Sequence, residues 1–111
     1  MKRKRTLREI EHLFPKIKGA AQEALGERLG EVILYGSFAR NQATEDSDID
    51  IAVILRDDCN AGEAMSKLND VISDLGLEFN ELISILPLCR KEIENSKWPL
   101  YGSLREQGLK L

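Results

Sequence analysis

Tyr35-Gly-Ser-Phe-Ala-Arg-Asn-Gln-Ala-Thr-Glu-Asp-Ser-Asp-Ile-Asp-Ile-Ala-Val-Ile-Leu55 decides the reading of this chain. An apolar run, Val32 to Tyr35, enters a Gly36-Ser37 turn, a short helix starts at Phe38-Ala39, and after a polar loop a second apolar run follows Asp48-Ile49-Asp50 to Leu55. The pattern is strand, turn, short helix, loop, strand. In a strand, residues i and i+2 share a face roughly 6 to 7 Å apart, so Asp48 and Asp50 project together while Ile49 and Ile51 point the other way. Two carboxylates in one small volume call for a neutralising cation, and a hard ion with oxygen ligands, Mg²⁺ or Mn²⁺, suits them. Gly36 lets the backbone approach a phosphate closely, and Ser37 can cap a helix whose free N–H groups attract anions. Metal at one end and phosphate at the other is the arrangement of phosphoryl-type transfer. Arg40 either reaches a phosphate oxygen or pairs with the acidic loop Glu45-Asp46.

Gly36-Ser37, ten intervening residues and Asp48-Ile49-Asp50, preceded by Val32 to Tyr35, resemble the signature of the DNA polymerase beta-like nucleotidyltransferase superfamily. The Gly-Ser-Phe-Ala-Arg and Ser-Asp-Ile-Asp-Ile-Ala-Val segments are most similar to its minimal, single-domain branch, which includes antitoxin-type partners of HEPN-domain proteins. The pattern has glycine after the arginine, where this chain has Asn41; asparagine tolerates a left-handed backbone better than most residues. The resemblance implies a small mixed β-sheet with helices packed on it, an α/β (α+β) arrangement. It implies an enzyme that moves a nucleoside monophosphate, AMP from ATP, onto a hydroxyl of a partner protein. Gly36, Ser37 and Arg40 would hold the nucleotide, and Asp48 and Asp50 the metal. The partner implied is a HEPN-domain toxin, neutralised by AMP transfer to a tyrosine, by direct binding, or both. A catalytically silent binding antitoxin is the alternative, and a dimeric small-molecule transferase is a third possibility.

At 111 residues the chain reads as one domain over 1–111, with 1–6 expected to fray. The net charge of −3 and the single basic cluster, Lys2-Arg3-Lys4-Arg5, disfavour binding along extended nucleic acid. No run approaches the ~18 apolar residues of a membrane span, and no signal-type segment follows the basic start, so the expected location is cytoplasmic. Cys59 and Cys89 have no zinc-ligand spacing and are expected as free thiols.

The remaining elements follow from periodicity. Leu7, Ile10, Leu13, Phe14, Ile17, Ala21, Ala24 and Leu25 trace a helix face that Pro15 breaks. His12, the only histidine, falls on its polar side. Asp57 and Asp58 read as an exposed turn. Ala64, Met65, Leu68, Val71, Ile72 and Leu75 trace a second helix with Gly76 as its stop. A third strand is expected over Leu77 to Leu86, stopped by Pro87. Trp98 and Tyr101 read as core cover ahead of a closing extended tail.

In the family this resembles, the third strand carries a third carboxylate. One register brings Glu81 to the site together with Phe79 and Ile83; the other brings Ser84 with Asn80 and Leu82. Glu81 is the candidate third acid, Glu78 stands at the strand entrance, and the sequence leaves the register open.

Overall fold

The computed structural model describes residues 1–56, 60–95 and 99–111. Asp57, Asp58, Cys59 and Trp98, where a turn, a thiol and core cover are expected, lie outside them. Four strands, β1 (Leu29–Tyr35), β2 (Ile49–Leu55), β3 (Ile83–Cys89) and β4 (Leu109–Lys110), form one sheet in the order β3-β2-β1-β4. β1 runs antiparallel to β2 and β4, whereas β2 and β3 are parallel, so the sheet is mixed. The helices are α1 (Phe14–Leu25), α2 (Gly36–Ala39), α3 (Ala61–Phe79), α4 (Arg90–Asn95) and α5 (Pro99–Gln107). α3 is the crossover that a parallel β2–β3 pair requires.

Strand alternation divides the core in two. Ile49, Ile51, Val53 and Leu55 of β2, with Val32 and Leu34 of β1, cluster with Ile17, Ala21 and Leu25 of α1 and with Ala64, Leu68 and Ile72 of α3. On the opposite face Ala52, Ile54 and Leu88 cluster with Tyr101 and Leu104 of α5. A strand covered on both faces reads as a continuous apolar run, which is what Ile51 to Leu55 shows. Where that second face reaches the start of β2, its side chains change from Ile54 and Ala52 to Asp50 and Asp48. The acids sit at the uncovered end of an otherwise buried face.

Several expectations need correction. Pro15 does break the N-terminal pattern, leaving 3-10 turns at Leu7–Glu9 and Glu11–Leu13 before α1, with Pro15 in its first turn. α3 passes through Gly76 and ends at Phe79, capped by Asn80 in the left-handed conformation at φ 54°. Gly76 is small because the returning chain crosses it: a Cβ there would stand 2.6 Å from the Glu81 carbonyl oxygen, and Glu81 N–H donates to the Gly76 carbonyl at 2.9 Å. β3 starts at Ile83 rather than Leu77 and continues through Pro87 to Cys89. As an edge strand it tolerates a residue without an N–H.

The N-terminal residues are tied down rather than frayed. Lys4 forms a β-bridge with Thr44, Arg5 N–H donates to Ala43 O at 3.0 Å, and Glu45 N–H donates to Arg3 O at 2.9 Å. Lys2 pairs with Asp46 at 2.8 Å, so the basic cluster lies along the acidic loop. Cys89 is disulfide-bonded, correcting the free thiol expected there. The parallel register places it opposite Leu55, at the end of β2. His12 is exposed, as expected. Among the described residues no helix is long and apolar enough to cross a membrane.

Candidate active site

Cross-strand register builds the centre of the site. Tyr35 pairs with Asp50, and Asp50 pairs with Ser84, giving a row of three polar side chains across β1, β2 and β3 on one face. Asp48, half-buried like Asp50, precedes β2 by one residue. It is held there by a closed turn in which Thr44 N–H donates to Ser47 Oγ at 2.9 Å and Ser47 N–H donates to Thr44 O at 3.0 Å. Ser47 fixes the entry to β2 through those two bonds.

At the end of β1 the chain turns through Gly36 at φ 74°. A Cβ on Gly36 would collide with Asp50 Oδ2 and lie 2.9 Å from its Cγ, so the missing side chain makes room for the carboxylate. Ser37 is half-buried inside α2 and makes no side-chain cap, unlike the capping role its position suggests. α2 is a single turn that starts at Gly36 rather than at Phe38, and Asn41 does adopt the left-handed backbone, at φ 58°.

The electrostatics fit an acid pair that a cation would neutralise. Burial first, and the Asp48 charge second, raise the Asp50 carboxyl above its ordinary value, with Arg40 pulling the other way. The Tyr35 hydroxyl is raised too, by burial and then by Asp50. Arg40 is exposed and forms no ion pair among the described residues; its alternative partner, Asp46, is engaged by Lys2. Among the described residues no third histidine, cysteine or acid joins Asp48 and Asp50 in a cluster that could hold a metal. Two carboxylates suffice for Mg²⁺ when substrate phosphates and waters complete its octahedral shell, so the residues fit such an ion.

Glu81 is elsewhere. It lies in the loop between α3 and β3, its carboxylate bridged by both Arg5 guanidinium nitrogens at 2.9 and 2.6 Å. The same guanidinium stacks 5.3 Å from the Phe38 ring centroid. Arg5 therefore joins three pieces of the site: α2, the loop at Ala43 and the entry to β3. Its pKa is raised chiefly by the hydrogen bonds to Glu81. Sequence reasoning missed this strut because its ends are 76 positions apart. Both side chains are only 14% exposed, so breaking the pair strands a largely desolvated charge. Glu81→Gln is expected to cost about 2 kcal/mol in stability, read by urea unfolding, while Mg·ATP affinity stays within about twofold of wild type. A catalytic Glu81 would show the reverse balance.

Two openings share Asp48, and Asp50 lines neither of them. A groove of about 990 Å³ contains Asp48, the loop at Glu45 and Asp46, and Leu77 and Leu82. A cavity of about 290 Å³ between α3 and β3 contains Asp48, Asn69 and Ser84.

The family model for polymerase beta nucleotidyltransferases matches residues 16–106. A chain of Methanocaldococcus jannaschii provisionally named protein adenylyltransferase MJ0141 is 30% identical over 88 residues, 79% of this chain and 87% of its own. Protein adenylyltransferase MntA of Thermococcus cleftensis is 44% identical over 48 residues, 43% of this chain and 46% of MntA. Among solved structures, a chain of Sulfolobus solfataricus described as a candidate nucleotidyltransferase has a TM-score of 0.64 at 19% identity, covering 93% of this chain and 79% of that one. A toxin–antitoxin structure with AMP-PNP has a TM-score of 0.60 at 18% identity, covering 88% and 72%. At these identities the structural likeness shows the fold.

Proposed function

The chain belongs to the polymerase beta nucleotidyltransferase family, and on that premise we propose that it transfers AMP from Mg·ATP to a tyrosine hydroxyl of a HEPN-domain toxin partner, in the cytoplasm. The observation that carries this reading is the preformed acid pair: Asp50 lies against a glycine that a Cβ would close, and its carboxyl is held up by burial and by Asp48. The names of the relatives, protein adenylyltransferases, support a protein acceptor.

In this reading the Gly36 turn receives the triphosphate and the exposed Arg40 reaches its oxygens. Asp48 and Asp50 hold the divalent ion, which when bound supplies charge stabilisation to the phosphates. The acceptor oxygen attacks the α-phosphorus, its O–P bond forms as the bond to the bridging oxygen breaks, and pyrophosphate leaves. Asp48 and Asp50 orient that centre. Ser84, opposite Asp50, supplies no base, so the acceptor proton passes to solvent.

That serine favours a second reading as well, in which the chain is a slow transferase that neutralises its partner mainly by binding. Ser84→Asp separates the two. It places a third carboxylate beside Asp50, and a weakly active transferase is expected to gain about tenfold or more in AMP transfer, in line with the ~10²-fold lower range of a positioned base. Transfer unchanged by Ser84→Asp would count against a missing base as the limiting feature. The parent experiment is mass spectrometry of a HEPN partner incubated with the protein, ATP and Mg²⁺. A mass gain of one or more AMP units is expected; an intact complex without an adduct supports the binding antitoxin.

A further inference from the structure

Two exposed leucines frame the groove that ends on Asp48. Apart from Met1 at the terminus, Leu77 and Leu82 are the most exposed large apolar side chains among the described residues, at 82% and 68%. Both line the groove together with Arg3, Arg5, Glu45, Asp46, Asp48 and Glu81. Leu82 also lines the smaller cavity with Asp48 and Ser84, so the apolar side chains and Asp48 share both openings. One exposed leucine is ordinary; two on one groove that contains Asp48 mark a surface that something covers.

The charges narrow what that something is. Arg5 is engaged by Glu81 and Arg3 by Glu9, at 2.6 and 2.8 Å, and Asp46 is engaged by Lys2. Glu45 is exposed and has no ion-pair partner among the described residues. An occupant of the groove therefore meets an apolar patch, an unpaired carboxylate and Asp48.

We propose that this groove docks the acceptor protein through one segment, with an aliphatic or aromatic anchor against Leu77 and Leu82, a basic residue against Glu45, and the acceptor hydroxyl at the Asp48 end. The inference rests on the transferase reading and adds where the acceptor is gripped. Apolar anchors at such surfaces carry most of the affinity, and a rim charge selects among partners.

The test uses a library of short tyrosine-containing peptides with degenerate flanks, Mg²⁺ and radiolabelled ATP. Wild type is expected to label peptides with an apolar and a basic flanking residue. Leu77→Lys and Leu82→Lys are expected to lower kcat/KM for those peptides about tenfold, through KM, with Mg·ATP affinity unchanged. Glu45→Lys is expected to switch the preference from basic to acidic flanks, which a purely structural role for Glu45 would not do. Leu109→Lys, at an exposed leucine away from the groove, is expected to change nothing. The groove assignment is overturned by labelling that ignores the flanks, by variants that keep the wild-type preference, or by a wild type that binds Mg·ATP yet labels no peptide. A wild type that binds no Mg·ATP overturns the transferase reading itself, and the groove assignment with it.

Discussion

Asp48→Asn and Asp50→Asn are each expected to reduce AMP transfer by about 10³-fold while leaving the protein folded. Metal-mediated charge stabilisation is worth several kcal/mol, and a two-carboxylate site has no spare ligand to replace the one removed. The same substitutions remove a repulsion. Burial and Asp48 raise the Asp50 carboxyl, so the folded chain ionises it less readily than the unfolded chain does. A group with a raised folded-state value supports folding when protonated, and that support is lost as pH rises through the folded value. At neutral pH the ionised Asp50 therefore opposes folding, and Asp50→Asn is expected to raise Tm. The gain should fade as pH falls below the ordinary carboxylate value of 3.8, where wild type is protonated in both states. Mg²⁺ should raise the Tm of wild type and not of the variant, because only a site that binds in the folded state shifts the equilibrium. A variant that unfolds at neutral pH, or one that keeps wild-type transfer, would remove these aspartates from the metal site.

The acid pair and the turn facing it were legible because both lie within one short stretch whose local conformation follows from alternation and glycine. Asn41 was legible for the same reason: its left-handed backbone is a local property. The third-strand position was not. Whether Glu81 or Ser84 stands beside Asp50 depends on where α3 ends, and that end is set by the packing of Gly76 against the Glu81 backbone. Gly76 has the look of a stop signal, although it is a contact inside a longer helix. Glu81 then satisfies Arg5, a residue whose place in a basic run near the terminus suggests only fraying. Helix propensity and charge runs are read locally, whereas the β2–β3 register and the Arg5–Glu81 pair were decided by segments far apart in sequence, and Gly76 by the chain folding back onto it at Glu81. The polymerase beta-like fold needed less, since the apolar runs and the glycine-serine to aspartate spacing already constrained the order of strand, helix and strand.

Gly36→Ala is expected to reduce transfer by about 10²-fold, less than loss of an aspartate and for a different reason. The backbone at φ 74° is one that a side chain adopts only with strain, of order 1 kcal/mol for alanine. The larger effect is the collision of the new methyl group with Asp50 Oδ2. Relief requires either the turn to swing away from β2 or the Asp50 carboxylate to rotate out of the row it forms with Tyr35 and Ser84. The first movement pulls the phosphate-binding turn from the acids, and the second pulls one acid from the other. Both separate nucleotide from metal by about an ångström, a misplacement that can cost about 10²-fold in rate. The signature differs from that of Asp50→Asn: Gly36→Ala should lower Tm, whereas the aspartate variant should raise it, although both lose transfer. Kinetics and thermal unfolding of the two single variants and the double variant make the distinction. In the double variant the new methyl group displaces an amide that no longer holds the metal, so the losses in transfer should be less than additive, because both substitutions act on one contact. Fully additive losses would mean that Gly36 serves the phosphate alone and that its closeness to Asp50 plays no part in catalysis.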